Sequence, residues 1–96
     1  MTVTFHEAAR VDLADAVAYY DEQSPGQGSV FALEVHSVIS RIIEHPEAGF
    51  PVRPSIRRIV LPRSPYSLLY SLSGPRLRVL AVMHHRRHPG YWQDRL

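Results

Sequence analysis

The spacing of apolar positions along the chain changes twice. Thr-Val-Thr-Phe at residues 2–5 alternates β-branched and aromatic residues with period two, which predicts a short strand. Beyond Glu7 the period lengthens. Ala9, Leu13, Ala16, Val17 and Tyr20 fall at i, i+4, i+7, i+8 and i+11, one stripe of an amphipathic helix over Glu7–Glu22. Glu7 lies in its first turn, where a negative charge suits the helix dipole. Asp12, Asp15, Asp21 and Glu22 fall off the stripe and are expected on a solvated face. The breaker cluster Gln23-Ser-Pro-Gly-Gln-Gly28 ends this helix. A second helix fits Ser29–His45 through Phe31, Val35, Val38, Ile39, Ile42 and Ile43, and Pro46 stops it. The pair forms an antiparallel hairpin whose two stripes need a further surface to cover them.

Period two then returns. Glu47–Ser55, with Pro51 and Pro54, reads as a loop. Arg57–Leu61 reads as a strand ended by Pro62, and Tyr66–Leu72 alternates larger residues with Ser67, Leu69 and Ser71. Leu77–Met83 places Leu77, Val79, Ala81 and Met83 on one face and Arg78, Leu80 and Val82 on the other. Ser73-Gly74-Pro75-Arg76 joins the last two runs as a hairpin turn. Apolar on both faces for most of its length, the last run belongs inside a sheet. The expected fold class is α+β in the order β-α-α-β-β-β. A two-helix hairpin covers one face of an antiparallel sheet of about four strands, all in one domain over residues 1–96.

Composition narrows the possibilities. The 96 residues are 45% apolar and 21% charged, ordinary for a globular chain and too apolar for disorder. With no cysteine there is no disulfide, thiolate nucleophile or Cys-type zinc site. No apolar run approaches the roughly 20 residues of a membrane span, and the first residues do not resemble a signal peptide, so a cytoplasmic protein is expected. Every basic residue is arginine. The net charge of +2 hides a strong polarity: residues 1–50 sum to −6, while residues 51–96 carry nine arginines against Asp94 alone, +8. A basic second half suits an acidic or phosphate-bearing partner.

The densest polar cluster, His84-His85-Arg86-Arg87-His88, directly follows the last strand and precedes Tyr91-Trp92. Arginines there suit phosphates, histidines suit proton transfer, and aromatics suit stacking on bases. The same run also reads as a solvated loop whose Tyr91 and Trp92 pack back on the sheet. Neighbouring strand residues point to opposite faces, so His84 and His85 should not converge on a metal, and no metal or cofactor is expected. By the same rule Arg57 and Arg58 face opposite ways. No G-x-S-x-G, P-loop or H-E-x-x-H is present.

Taken in order, the motifs resemble a known family. Ala9-x-x-Asp12-Leu13-x-x-Ala16-x-x-Tyr19-Tyr20, Phe31-x-x-Glu34-Val35 and Pro46-x-x-Gly49-x-Pro51 form one set. Arg57-Arg58-x-x-Leu61, Ser64-Pro65-Tyr66-x-Leu68-x-Tyr70 and the ending His84-x-Arg86-Arg87-x-Pro89-x-Tyr91-Trp92 form another. Together they resemble the RelE/ParE superfamily of toxins from type II toxin–antitoxin modules, from about residue 3 to residue 95. The resemblance implies the same β-α-α-β-β-β layer and a cognate antitoxin that wraps the toxin, with operator DNA reached only through that antitoxin. RelE-like members cleave messenger RNA in the ribosomal A site; ParE-like members poison DNA gyrase and are not hydrolases.

Arg58 and Arg86 match basic positions of the RelE-like set. Val60 and Ser67 stand where that set has further basic residues, and Trp92, which exchanges no proton, stands at its tyrosine. The first helix ending Tyr19-Tyr20 and the Arg86-Arg87-x-Pro89 run are similar to the ParE-like branch. The expectation is therefore a gyrase-directed toxin rather than an enzyme, contacting its target through Arg57, Arg58, Arg86, Arg87, Tyr91 and Trp92; the antitoxin-binding residues are not indicated. Were it a nuclease, Arg58 and Arg86 would hold phosphate while His84, His85 or Tyr91 moved protons. A third possibility is a non-toxic subunit that binds antitoxin and co-represses its operator.

Overall fold

The computed structural model describes residues 1–96. Strand β1 (Thr2–Phe5) leads into helices α1 (Glu7–Gln23) and α2 (Gln27–Glu44). Strands β2 (Phe50–Arg53), β3 (Ile56–Val60), β4 (Tyr66–Ser73) and β5 (Arg76–His84) follow, and a short 3-10 turn, Gln93–Arg95, closes the chain. The five strands form one sheet in the order β1-β5-β4-β3-β2, giving the expected α+β layer.

Local chemistry fixes the hairpin. The His6 side chain accepts the Ala8 N–H at 3.0 Å and caps the start of α1. Asp21 reaches from the end of α1 to accept the Gly28 N–H at 2.8 Å, one of the N-terminal donors of α2 that lack a helical partner. A Cβ at residue 28 would meet the Val17 carbonyl oxygen at 2.6 Å, so only glycine lets the helices approach this closely. Asp21 is exposed, as expected, and caps α2 as well.

The sheet differs from expectation in three ways. Residues 50–53 are a strand, not loop. Being the outer edge, β2 tolerates Pro51, which pairs with Arg57 just before a register shift. β1 pairs with β5 in parallel, Thr2 opposite Arg76, because the chain between them is a long crossover rather than a hairpin. The third difference is a bulge. Leu69 pairs with Ala81 but Tyr70 with Val79, leaving Leu80 as an extra residue that reverses the alternation of β5. Leu77, Val79 and Val82 therefore face the helices, whereas Leu80, Ala81 and Met83 face away.

Two apolar clusters result. The helix side holds 15 buried residues, among them Ala9, Phe31, Ile42, Leu68 and Tyr70. Tyr20, expected in the core, packs against this cluster and stacks on Phe31 with ring centroids 5.1 Å apart. On the far side Ile56, Leu69, Leu80, Ala81 and Met83 are covered by Trp92 and Tyr91 from the C-terminal segment. Tyr70, fully buried, donates to the Pro46 carbonyl at 2.9 Å and accepts the Gly49 N–H at 2.9 Å, fixing the loop that launches β2. No helix is long and apolar enough to cross a membrane.

Candidate functional site

The bulge and the strand ends decide where the polar residues go. His84 lies on the helix side, its ring edge-on to Tyr66 at 4.9 Å. His85 lies on the far side, its Nε2 2.9 Å from the Ser67 hydroxyl. The two do not converge, as alternation required. Arg57 and Arg58 part in the same way. Arg57 donates to the Gly49 carbonyl at 2.7 Å, whereas Arg58 Nε donates to Ser67 at 3.0 Å.

Ser67 is the centre of this far-side group. It is fully buried, and its hydroxyl bridges an arginine of β3 and a histidine just beyond β5. The Arg58 guanidinium is thereby held by its Nε while no carboxylate lies within salt-bridge distance of its other nitrogens. A fixed guanidinium with free N–H groups is suited to bidentate contact with an anion. Arg86 and Arg87, both exposed, follow His85 in the chain, and the Arg86 N–H bonds back to His84 Nδ1 at 3.0 Å. Arg58, Arg86 and His85 thus belong to one end of the sheet; Arg57 is turned to the loop at 47–49.

Tyr91 and Trp92 both return to the protein. Trp92 is only 5% exposed on the far-side cluster, with the Arg53 guanidinium 5.7 Å from its ring centroid. Tyr91 lies between Arg87 at 4.5 Å and Arg95 at 4.7 Å and donates its O–H to Asp12 at 3.0 Å. Burial, then the neighbouring Asp12 carboxylate, pushes the Tyr91 phenol well above its ordinary range. Asp12 also accepts from Arg95 at 2.6 Å and from the Val82 N–H at 3.1 Å. Its side chain is 14% exposed, so Asp12 leaves the solvated face where spacing had put it. Asp12 and Arg95 were not legible as a pair, because 83 residues separate them.

Two concavities flank this end. A cleft of about 360 Å³ is lined by Asp15, Tyr19, Tyr66, His84, Arg87 and Tyr91, among others. Burial, aided by Tyr20, Tyr19 and Asp12, raises the pKa of Tyr66 at its wall. On the opposite flank a groove of about 670 Å³ runs between α2 and the β3–β4 turn. Phe31, Val38 and Ile59 form its floor, exposed Val30, Leu33 and Val60 its lips, and Arg41 and Arg63 its rim. Glu34 holds the turn by accepting the Arg63 N–H at 2.5 Å and the Ser64 hydroxyl.

A two-helix hairpin on a five-stranded mixed sheet, with a basic run leaving the last strand, β5, defines a class of small α+β domains. The sequence model of the family described as "ParE toxin of type II toxin-antitoxin system, parDE" matches residues 3–89. The chain is 31% identical over 85 residues to Toxin ParE2 of Mycobacterium tuberculosis, in both the CDC 1551 / Oshkosh and the ATCC 25618 / H37Rv strains. The match covers 88% of this chain and 81% of that protein. Its fold is shared with a structure described as the chromosomal ParDE TA system from P. aeruginosa, at a TM-score of 0.75 and 18% identity, covering 88% of this chain and 95% of that one. The chain belongs to the ParE toxin family of type II toxin–antitoxin systems.

Proposed function

We propose that this toxin arrests growth in the cytoplasm by binding DNA gyrase and holding its cleaved-DNA complex, without bond chemistry of its own. The observation that carries this reading is the commitment of Tyr91. Its phenol is bonded to Asp12 and its proton is held above the ordinary range, so it is a poor acid or base near neutral pH. Trp92, at the neighbouring position, has no proton to exchange. What this end of the sheet offers is charge: Arg58, Arg86 and Arg87 contact the target, and Tyr91 and Trp92 shape the segment that carries the last two. Purified toxin incubated with gyrase and supercoiled plasmid should block supercoiling and yield linear DNA; neither effect would remove this reading.

One observation favours a second reading. The Arg58–Ser67–His85 group pairs an anion clamp with a titratable ring, the minimum for phosphodiester chemistry. Ribosomal A-site cuts in messenger RNA from induced cells, lost in Arg58→Ala, would establish a nuclease instead. No growth defect without antitoxin would leave only an operator co-repressor.

The groove between α2 and the β3–β4 turn supports a site for the cognate antitoxin. Exposed Leu33 and Val30 offer apolar contact, while Arg41 and Arg63 favour acidic flanks. An amphipathic, acidic antitoxin segment would meet both requirements. Leu33→Glu should weaken the complex about tenfold or more by burying a charge against apolar lips.

A further inference from the structure

The strand β1 is too short to cover β5. Its last pair is Phe5 with Val79, and the His6 N–H closes on the Val79 carbonyl at 2.8 Å. Past that point the β5 edge has no neighbouring strand. Open strand edges are otherwise free to pair with another chain. Here side chains fill the vacant positions. Arg95 donates to the Leu80 carbonyl at 3.0 Å, Asp12 accepts the Val82 N–H at 3.1 Å, and Tyr91 donates to the Val82 carbonyl at 3.3 Å.

These bonds also account for how residues 86–96 stay in place. Their backbone hydrogen bonds are local turns: Arg87 to His84, Tyr91 to His88, Gln93 to Gly90 and Arg95 to Trp92. Every hydrogen bond from this segment to a residue before His84 ends on Leu80, Val82 or Asp12. Asp12 is the common partner. It alone joins Tyr91, Arg95 and the β5 backbone, and it projects from the middle of α1. Removing its carboxylate leaves the Val82 N–H without an acceptor and the Arg95 guanidinium without its counter-charge in a poorly hydrated place.

We propose that Asp12 is the positioning residue of the target-contacting segment: its carboxylate docks residues 86–96 on the bare edge of β5, and the docked segment is the form that presents Arg86 and Arg87 to the target. The proposal rests on the growth-arresting role of those arginines, but the docking itself stands apart from what the target is.

Trp92, the single tryptophan, is buried in the docked segment and reports on it directly. In purified Asp12→Asn and Arg95→Gln toxins, Trp92 emission should move to longer wavelength. Amide exchange of residues 86–96 should rise about tenfold while the helices keep their protection. Growth arrest should fall about tenfold while antitoxin affinity stays within about twofold, because the proposed groove lies across the sheet from this edge. Asp15→Asn, a nearby acid with no hydrogen bond or ion pair, should match wild type in all four measurements. The proposal fails if emission and exchange do not move in either variant, or if the segment loosens and growth arrest persists. It also fails if antitoxin affinity and helix protection fall in step with growth arrest, which would make Asp12 a general stabiliser. A wild-type toxin that spares gyrase while the variants behave as expected would remove gyrase as the target and leave the anchor standing.

Discussion

The two faces of the sheet are closed by different physics. On the helix side two helices lay a broad apolar surface on Leu68, Tyr70, Leu77, Val79 and Val82, and closure comes from area. On the far side the segment 86–96 has only Trp92 and Tyr91 to lay on five apolar neighbours, and direction replaces area: a carboxylate, a phenol and a guanidinium complete a strand edge. A face closed by area should fail as a whole, whereas one closed by a few bonds should fail alone.

The largest expected effect tests the first half of that contrast. Phe31→Ala, at a position 2% exposed and packed on Tyr20 and Tyr66, should cost about 3–5 kcal/mol. Circular dichroism and Trp92 fluorescence should then report one shared unfolding transition. Next, Asp12→Ala should cost about 3 kcal/mol by stranding a guanidinium that is 11% exposed. There the Trp92 signal should change at lower denaturant than the helical signal. Coincident curves would erase the distinction between the faces.

Gly28→Ala sharpens the area side. It sets a methyl group against the Val17 carbonyl, and separating the helices should cost roughly 1–3 kcal/mol by thermal melting. Ser67→Ala should cost about 1 kcal/mol, leaving the fold intact and Arg58 without its bridge; the NMR chemical shifts of the His85 ring should register the lost contact.

The smallest effect at neutral pH belongs to Tyr91→Phe, and it shrinks further with alkali. The folded protein holds the Tyr91 phenol above its ordinary value of 10.0, so the neutral form is favoured by folding. That contribution is fully present below pH 10 and is lost as pH climbs through the raised value. Stability measured by urea unfolding should therefore decline above pH 10, with a shallower slope in the Phe variant, where Tyr66 keeps the same trend.

What the sequence disclosed follows the same division. Helical spacing is a local property, so α1 and α2 were legible to within two residues, including the turn at Pro25-Gly26. The alternation of β4 and β5 was also legible, but not the bulge at Leu80, since an extra residue is defined only against the partner strand. The β2 strand was hidden by Pro51, which an edge position makes harmless, and by Pro54 just beyond it. His84 and His85 separated as alternation predicts. Asp12 and Ser67 were missed as organising residues because their partners come from distant parts of the chain. Asp12 looked like one more helix-surface acid, and Ser67 like a mere substitution for a basic residue.

The parallel pairing of β1 with β5 has a consequence for the chain as it is made. Thr2 and Val3 leave the ribosome more than 70 residues before their partners Arg76 and Leu77. Such long-range pairing is slow to form and leaves apolar surface uncovered meanwhile. The helical hairpin, whose contacts are local, is complete long before the sheet it must cover. A partner present during synthesis therefore meets the apolar stripe of α2 before the protein's own strands do. Capture by such a partner would then be a contest of timing as much as of affinity.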